Sequence, residues 1–265
     1  MTAEPAPDFE ARRFQSAAAH YLAGRPPYPD ALIERVVQIV GLTRADRLLD
    51  LGCGPGQLAR AFAAHVAQAV AMDPEPQMLA IAREQAAGVS NMQVVQGRSD
   101  DLDDRHGRFK AVLIGRAFHW MDREQTLAAL DGLIEPGGAV VLFGEEPARV
   151  PENARILEYD AMHTRWSDDD TNRARLLSKD YRPHLSVLLD SPFRRLERIG
   201  VIVRHPLSLQ TLVDRTLSYS STSRARLGAR ADELIAELER KYAVWESQGP
   251  MEEVLTSTAL MAFRP

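Results

Sequence analysis

Residues 48–57 read Leu-Leu-Asp-Leu-Gly-Cys-Gly-Pro-Gly-Gln. A short apolar run ends in an acid, a glycine-rich turn follows, and a helical stretch begins near Gln57. The order is strand, turn, helix. Glycines at alternate positions, Gly52, Gly54 and Gly56, let the backbone pass very close to a bound molecule. Asp50 beside them bears on that molecule's charge: a diphosphate is repelled there, whereas a ligand carrying positive charge is attracted. A dinucleotide fingerprint needs its third glycine where this chain has Gln57. The P-loop pattern fails as well, because no Gly-Lys-Ser/Thr follows.

Outward from this turn the chain alternates. Strands are expected at 48–51, 69–72, 92–96, 109–114 and 139–143, with helices at 57–67, 77–87 and 123–134. Pro136-Gly137-Gly138 reads as a turn before the fifth strand. Apolar strands alternating with helices predict a parallel sheet covered on both faces. Upstream, residues up to about 7 are expected to be loose. Phe14, Ala17, Ala18 and Tyr21 fall at helical spacing. The three prolines between Gly24 and Pro29 force an extended or turned path. Leu32, Ile33, Val36, Val37 and Val40 mark a second helix ending at Gly41.

Beyond residue 150 the rhythm breaks. Mixed charges surround Tyr159, His163, Trp166, Tyr181 and His184, which reads as a helical insertion after the fifth strand. Strand character returns at 196–205, followed by a helix at 210–219. Leu234, Leu238, Tyr242 and Trp245 stripe a longer helix, supported by Glu237 four residues before Lys241. Residues 254–263 read as a final strand. The predicted division is an N-terminal helical lid at 1–45, a binding core at 46–149, a cap insertion at 150–192 and completion of the sheet at 193–265.

The totals exclude some classes. The chain has 265 residues, 32 Lys plus Arg against 37 Asp plus Glu, and a formal charge of -5. That balance leaves no electrostatic footprint for nucleic acid. Cys53 is the one cysteine, so no intrachain disulfide forms, which suits a reducing cytosol. No apolar run reaches the roughly 18 residues of a membrane helix, and residues 1–10 do not read as a signal peptide. A cytoplasmic protein, monomer or homodimer, with no membrane or nucleic-acid partner is expected.

Two acids extend the motif. Asp73 ends the second strand in Ala-Met-Asp-Pro, seventeen positions past Gly56. An acid there can accept both hydroxyls of a ribose; before Pro-Glu it is also a good helix cap. The third strand ends in Gly97-Arg98-Ser99-Asp100-Asp101-Leu102, a small residue and an acid near the crevice at the carboxyl end of the sheet. An adenine there receives a backbone N–H and offers its amino group to Asp100, although Asp101, Asp103 and Asp104 crowd the same loop and a plain turn acid stays open.

Together these stretches resemble the class I S-adenosylmethionine-dependent methyltransferases. Residues 50–56 resemble their first motif, Asp73 their ribose-binding acid and Ser99-Asp100 their adenine-side motif. Gly115-Arg116-Ala117-Phe118-His119-Trp120-Met121-Asp122 resembles the segment after their fourth strand, and Pro136-Gly137-Gly138 the turn before their fifth. The stretch from Tyr21 to Pro29, with the Phe-His-Trp segment, is similar to the small-molecule subgroup related to trans-aconitate methyltransferase. The likeness covers roughly residues 20–145.

The resemblance implies an α/β fold: a Rossmann-like, doubly wound, mostly parallel seven-stranded sheet with a helical lid and a helical insertion after strand five. It implies S-adenosylmethionine as cofactor and no metal. Its cofactor positions are Tyr21, Arg25, Asp50, Gly52, Cys53, Gly54, Gln57, Asp73, Pro74, Met78, Ser99, Asp100, Gly115, Arg116 and Ala117. Its acceptor positions are Tyr28, His119 and Trp120; from the insertion, His163, Trp166, Tyr181 and His184 are expected to line the acceptor pocket. Asp50 is expected to hold the turn and favour the methionine ammonium, and Arg25 to meet the methionine carboxylate. Methyl transfer from a sulfonium is an in-line displacement, which alignment and water exclusion accelerate. His119 is the candidate base, or it packs near the cofactor without moving a proton. Arg116 either clamps an acceptor carboxylate or pairs with a nearby acid.

Two histidines without a supporting acid pattern argue against zinc, and the acids at 168–170 read as a helix cap. Oxygen of a carboxylate or hydroxyl is the favoured acceptor, with nitrogen or carbon next. RNA or DNA methylation is disfavoured by the charge balance and by Gly115 to Trp120 standing where Asn/Asp-Pro-Pro-Tyr/Phe would be required. The rival readings are a non-methylating S-adenosylmethionine binder, cyclase-like or regulatory, and a nicotinamide-dependent dehydrogenase, which Gln57 and Asp50 oppose.

Overall fold

Alternating side chains on the central strands point to opposite faces and carry two separate cores. In the computed structural model, which describes residues 16–167, 175–176 and 178–265, Leu48, Ala71, Leu113 and Val141 face one core and Leu49, Met72, Val112 and Val140 the other. The parallel strands β1 (Arg47–Leu51), β2 (Gln68–Asp73), β3 (Met92–Gln96) and β4 (Phe109–Gly115) lie side by side, and β1, β2 and β4 carry six of these residues, with Val140 and Val141 on the strand that follows. The parallel β5 (Ile134–Pro147) and the antiparallel β6 (Arg195–Pro206) and β7 (Glu252–Phe263) complete a seven-stranded sheet in the order β3-β2-β1-β4-β5-β7-β6. The order reverses between β1 and β4, which opens a crevice at their carboxyl ends.

Helices α2 (Asp30–Val40) and α3 (Gln57–Phe62) bury Leu32, Val36 and Phe62 in the first core. Helix α4 (Pro76–Ala86) adds Leu79 to it, and α5 (Arg123–Leu133) lays Leu127 and Leu130 in the second. Ahead of them, α1 (Ala18–Gly24) runs into the proline stretch, which is extended up to the start of α2 at Asp30. The expected contribution of Phe14 to α1 and the acids at 168–170 fall outside the described residues.

The expected turn at Pro136-Gly137-Gly138 is instead an irregularity within β5. Phe109 pairs with Ile134, and the next pair is Ala111 with Ala139. Where the strands rejoin, a Cβ at Gly138 would stand 2.6 Å from the Lys110 carbonyl, so glycine lets β5 close back onto β4.

The insertion contributes α6 (Ala154–Trp166) and α7 (His184–Leu189). Downstream come α8 (Leu209–Ser218), α9 (Arg224–Leu227) and α10 (Arg230–Ser247). Ile156, Tyr159 and Met162 of α6 share a third core with Leu212, Leu234, Leu238, Tyr242 and Trp245. The insertion therefore packs against the C-terminal helices, while Val187 and Leu188 of α7 join the core under the sheet.

Helices α1 and α8 cross so closely that a Cβ at Gly24 would run into the Arg215 backbone. Arg215 fastens this crossing. Its Nε donates to the Gly24 carbonyl at 3.1 Å, and its Nη atoms donate to the buried Glu253 carboxylate of β7 at 2.7 and 2.5 Å. His20 of α1 adds a 2.7 Å contact to Asp214.

Candidate functional site

A cavity of about 490 Å³ lies at the carboxyl ends of β1 to β4. It brings together Tyr21, Arg25, Gly52, Gly54, Asp73, Pro74, Met78, Ser99, Asp100, Gly115, Arg116, Ala117, His119 and Trp120. Its volume falls in the range of small-molecule pockets, about 300–1,000 Å³.

The turn after β1 is shaped by what it must avoid. Gly52 has φ +71°, and a Cβ on it would sit 2.6 Å from the Ala117 Cβ. Gly54 has φ +53°, and a Cβ there would find only the Met78 sulfur at 4.0 Å, because its open side is the cavity. A ligand can thus lie directly on the backbone.

Asp50 ends up behind this wall. Only 1% exposed, it accepts the Ala59 N–H with Oδ2 at 2.9 Å, while Oδ1 is buried without a hydrogen-bond partner among the described residues. Ala59 lies in the first turn of α3, whose N-cap is Gly56 without a capping side chain, so an acid from the preceding strand satisfies the helix's orphan donor. Burial pushes Asp50 up to about 7, against that N–H bond, and Asp73 nearby adds to the rise. Asp50 is outside the cavity lining, so the influence on an ammonium expected of it would run through water or the turn.

Asp73 does face the cavity. Its Oδ2 accepts the Gly54 N–H and its Oδ1 the Glu75 N–H, both at 2.9 Å. Each carboxylate oxygen has a second lone pair, so the group can hold the glycine turn and still accept two hydroxyls. Burial raises it to about 6, opposed by the Glu75 and Gly54 N–H bonds. An adenosyl group fits this donor set: open glycine backbone, a preset carboxylate, and residues 97–100 beyond it. The 3₁₀ turn at Ser99–Asp101 lies there, with Arg98 donating to both Asp100 oxygens at 2.7 and 2.9 Å.

Three arginines line the cavity, and their partners differ. Arg98 pairs with Asp100 and Arg116 with Glu145. Among the described residues, no carboxylate pairs with Arg25. Its guanidinium instead lies 3.8 Å from the Tyr219 ring centroid and 5.5 Å from that of Tyr21, with Nε donating to Ser218 at 2.9 Å.

Several expected positions lie elsewhere. Cys53 is buried beneath the turn, its N–H on the Met72 carbonyl at 3.0 Å, and Gln57 begins α3 outside the cavity lining. Tyr28 is drawn under the wall by an edge contact with Phe143 at 5.3 Å. Trp166 is held away by Glu237, which accepts its indole N–H at 2.9 Å. Tyr181 carries the Arg123 guanidinium at 4.6 Å and does not reach the cavity. All three were expected on the acceptor and are held instead by packing or polar partners. His119 is at the cavity, its ring 4.8 Å from Trp120 and its carbonyl accepting from Arg175 at 2.5 Å.

Sequence reasoning missed Glu75, Asp122, Gln125, Thr126, Glu145, Tyr219 and Ser220. All but Glu145 line the cavity. Asp122 also caps α5, accepting the Gln125 N–H at 3.0 Å. Tyr219 follows α8 with no motif around it, so no local signal marks it. Among the described residues, no group of three or more His, Cys, Asp or Glu is arranged to hold a metal, and no helix is long and apolar enough to cross a membrane.

Comparison with known proteins agrees with this geometry. Residues 48–138 match the family described as "Methyltransferase domain". An uncharacterized methyltransferase of Mycobacterium tuberculosis is 28% identical over 85% of this chain and 84% of its own length. A trans-aconitate 2-methyltransferase of Mycobacterium ulcerans is 27% identical over 72% of this chain and 60% of its own. Among solved structures, an S-adenosylmethionine-dependent methyltransferase from Geobacter sulfurreducens, in complex with S-adenosyl-L-homocysteine, shares the fold with a TM-score of 0.54. The identity is 17%, over 97% of this chain and 99% of that one. A methyltransferase-like protein from Bacillus halodurans gives 0.55 at 20% identity, over 88% of this chain and 98% of that one.

Proposed function

We propose that the chain acts as a class I S-adenosylmethionine-dependent methyltransferase and that it methylates an oxygen, carboxylate or hydroxyl, of a small-molecule acceptor. The observation that carries this reading is one cavity holding Asp73 and the glycine turn together with Arg25, His119 and Trp120. When bound, the cofactor supplies a methyl group on a cationic sulfur. Asp73 would accept the ribose hydroxyls, Gly52 and Gly54 would permit close approach, and the terminal nitrogens of Arg25 would take the methionine carboxylate. His119 is the base for an acceptor that must lose a proton. Tyr21 and Tyr219 exclude water, which favours displacement over hydrolysis.

In this proposal residues 1–45 are the lid, 46–149 the cofactor core, 150–192 the cap and 193–265 the completion of the sheet. The relative named for trans-aconitate favours an acidic acceptor. A cytoplasmic setting, as monomer or homodimer, belongs to the same proposal and fits the single cysteine.

The test is incubation with methyl-labelled cofactor and a panel of small organic acids and hydroxy compounds. The expected result is label on an acceptor oxygen with release of S-adenosylhomocysteine, base-labile where an ester forms. Label on nitrogen or carbon would overturn the oxygen assignment. Cofactor binding with no labelled product from any acceptor class would favour the non-methylating alternative.

A further inference from the structure

Arg116 has φ +59°, and among the described residues it is the one non-glycine residue with positive φ. A residue with a side chain holds that conformation only where its surroundings over-determine it, and such outliers cluster at functional sites. The surroundings that fix Arg116 lie behind the cavity wall. Glu145, on the neighbouring strand β5, pairs with its guanidinium, and the two side chains are 17% and 16% exposed. The Tyr28 ring lies under the same guanidinium, 5.6 Å from its carbon. The preceding Gly115 sits so tightly that a Cβ would stand 2.5 Å from the Tyr28 hydroxyl and 2.6 Å from Leu58. The Arg116 N–H donates to the Phe143 carbonyl at 3.3 Å. Gly115, Arg116 and Ala117 line the cavity, whereas Glu145 and Tyr28 do not.

Strand order states which part of a cofactor meets this turn; the step rests on the methyltransferase reading above. With the ribose at Asp73 after β2 and the adenine at residues 97–100 after β3, both lie on one side of β1. The rest of the molecule must then cross β1 toward β4 and residues 115–117. The geometry points to Glu145 as a positioning residue for the amino-acid half of the cofactor: its carboxylate holds Arg116, and the held backbone shapes the wall that this half touches. Glu145 itself touches no ligand.

The experiment titrates two ligands by calorimetry, S-adenosylhomocysteine and 5′-methylthioadenosine, which lacks the amino-acid half. Glu145→Gln is expected to weaken the first about tenfold and the second less than about twofold. In that background Arg116→Gly restores S-adenosylhomocysteine affinity, because glycine takes positive φ without a carboxylate to hold it, and Arg116→Ala does not. The paired double variants carry the test even if Glu145→Gln alone fails to fold. Equal weakening of both ligands, no weakening, or equal behaviour of the Gly and Ala variants would overturn the assignment. A wild-type protein that binds neither ligand would overturn the methyltransferase reading itself.

Discussion

Two walls enclose the cavity, and they are assembled differently. One is a series of strand ends taken in chain order, from Leu51 at the end of β1 to Asp122 before α5. The other joins Tyr21 and Arg25 of the α1 segment to Tyr219 and Ser220 past α8, with Arg25 bonded to Ser218 across 193 positions of sequence. The first wall is held by backbone: Asp73 on two N–H groups, and the Gly52 and Cys53 N–H groups on the Met72 carbonyl at 2.8 and 3.0 Å. The second is held by side chains, through Arg215 with Glu253 and the stacking of Arg25 on Tyr219. Backbone-built walls tolerate few substitutions, and side-chain-built walls can change with the acceptor.

The largest effect should come from the first wall. Gly52→Ala forces a Cβ onto Ala117 and strains a backbone at φ +71°. It should reduce S-adenosylhomocysteine affinity by about a hundredfold or more by calorimetry. Gly41→Ala is the control: φ is +70° but nothing lies within 4 Å of its Cβ, so it should lose only about 1–2 kcal/mol of stability and keep the ligand. Loss of binding in both would mean that backbone strain alone, and not intrusion on the turn, is decisive.

A smaller effect tests the acids of the same wall. Asp50 at about 7 and Asp73 at about 6 both lie above the ordinary value of 3.8, so the ligand-free folded chain binds protons that the unfolded chain releases. Their contribution to stability is fully present below about pH 4 and is lost as pH rises toward 7. The slope should be at most about 1.4 kcal/mol per pH unit for each group. Asp50→Asn, which keeps an oxygen for the Ala59 N–H, should flatten the dependence of thermal unfolding on pH between 5 and 7. An unchanged slope would place the titration elsewhere.

The smallest effect belongs to the second wall. Tyr219→Leu removes the ring under Arg25, a cation–π contact of roughly 0.5–2 kcal/mol. It should weaken S-adenosylhomocysteine by no more than about thirtyfold and leave 5′-methylthioadenosine unchanged. A loss as large as that of Gly52→Ala would erase the distinction between the walls.

The same contrast explains what could be read from the sequence. The strand at 92–96, the glycine turn and the acids at 73 and 100 are marked by local chemistry, periodicity two and fixed spacing. Asp50 was visible as an acid, yet its role as a helix cap from a neighbouring strand depends on where Ala59 lands. The sequence pattern of β5 concealed its bulge, because Pro-Gly-Gly signals a turn with equal force whether a strand ends or only swells. Tyr28 in the lid segment, and Trp166 and Tyr181 in the insertion, stand near the expected acceptor side in sequence, but nothing local says that Phe143, Glu237 and Arg123 hold them. Tyr219 and Glu145 carry no motif and become meaningful only through partners brought near by the sheet.

The antiparallel insertion of β7 between β5 and β6 also has a consequence in time. Among the described strands, β6 is bonded to β7 alone, and β7 is translated after it, with α8 to α10 between them. At about 5–20 residues per second, β6 waits on the order of several seconds for its partner. The strands from β1 to β5 can form their ladders during that interval, while the apolar edge of β5 stands open beside an emerging β6. Glu253, which Arg215 needs, arrives only with β7. A ribosome-bound chain therefore acquires the glycine turn early and the wall behind Arg25 last.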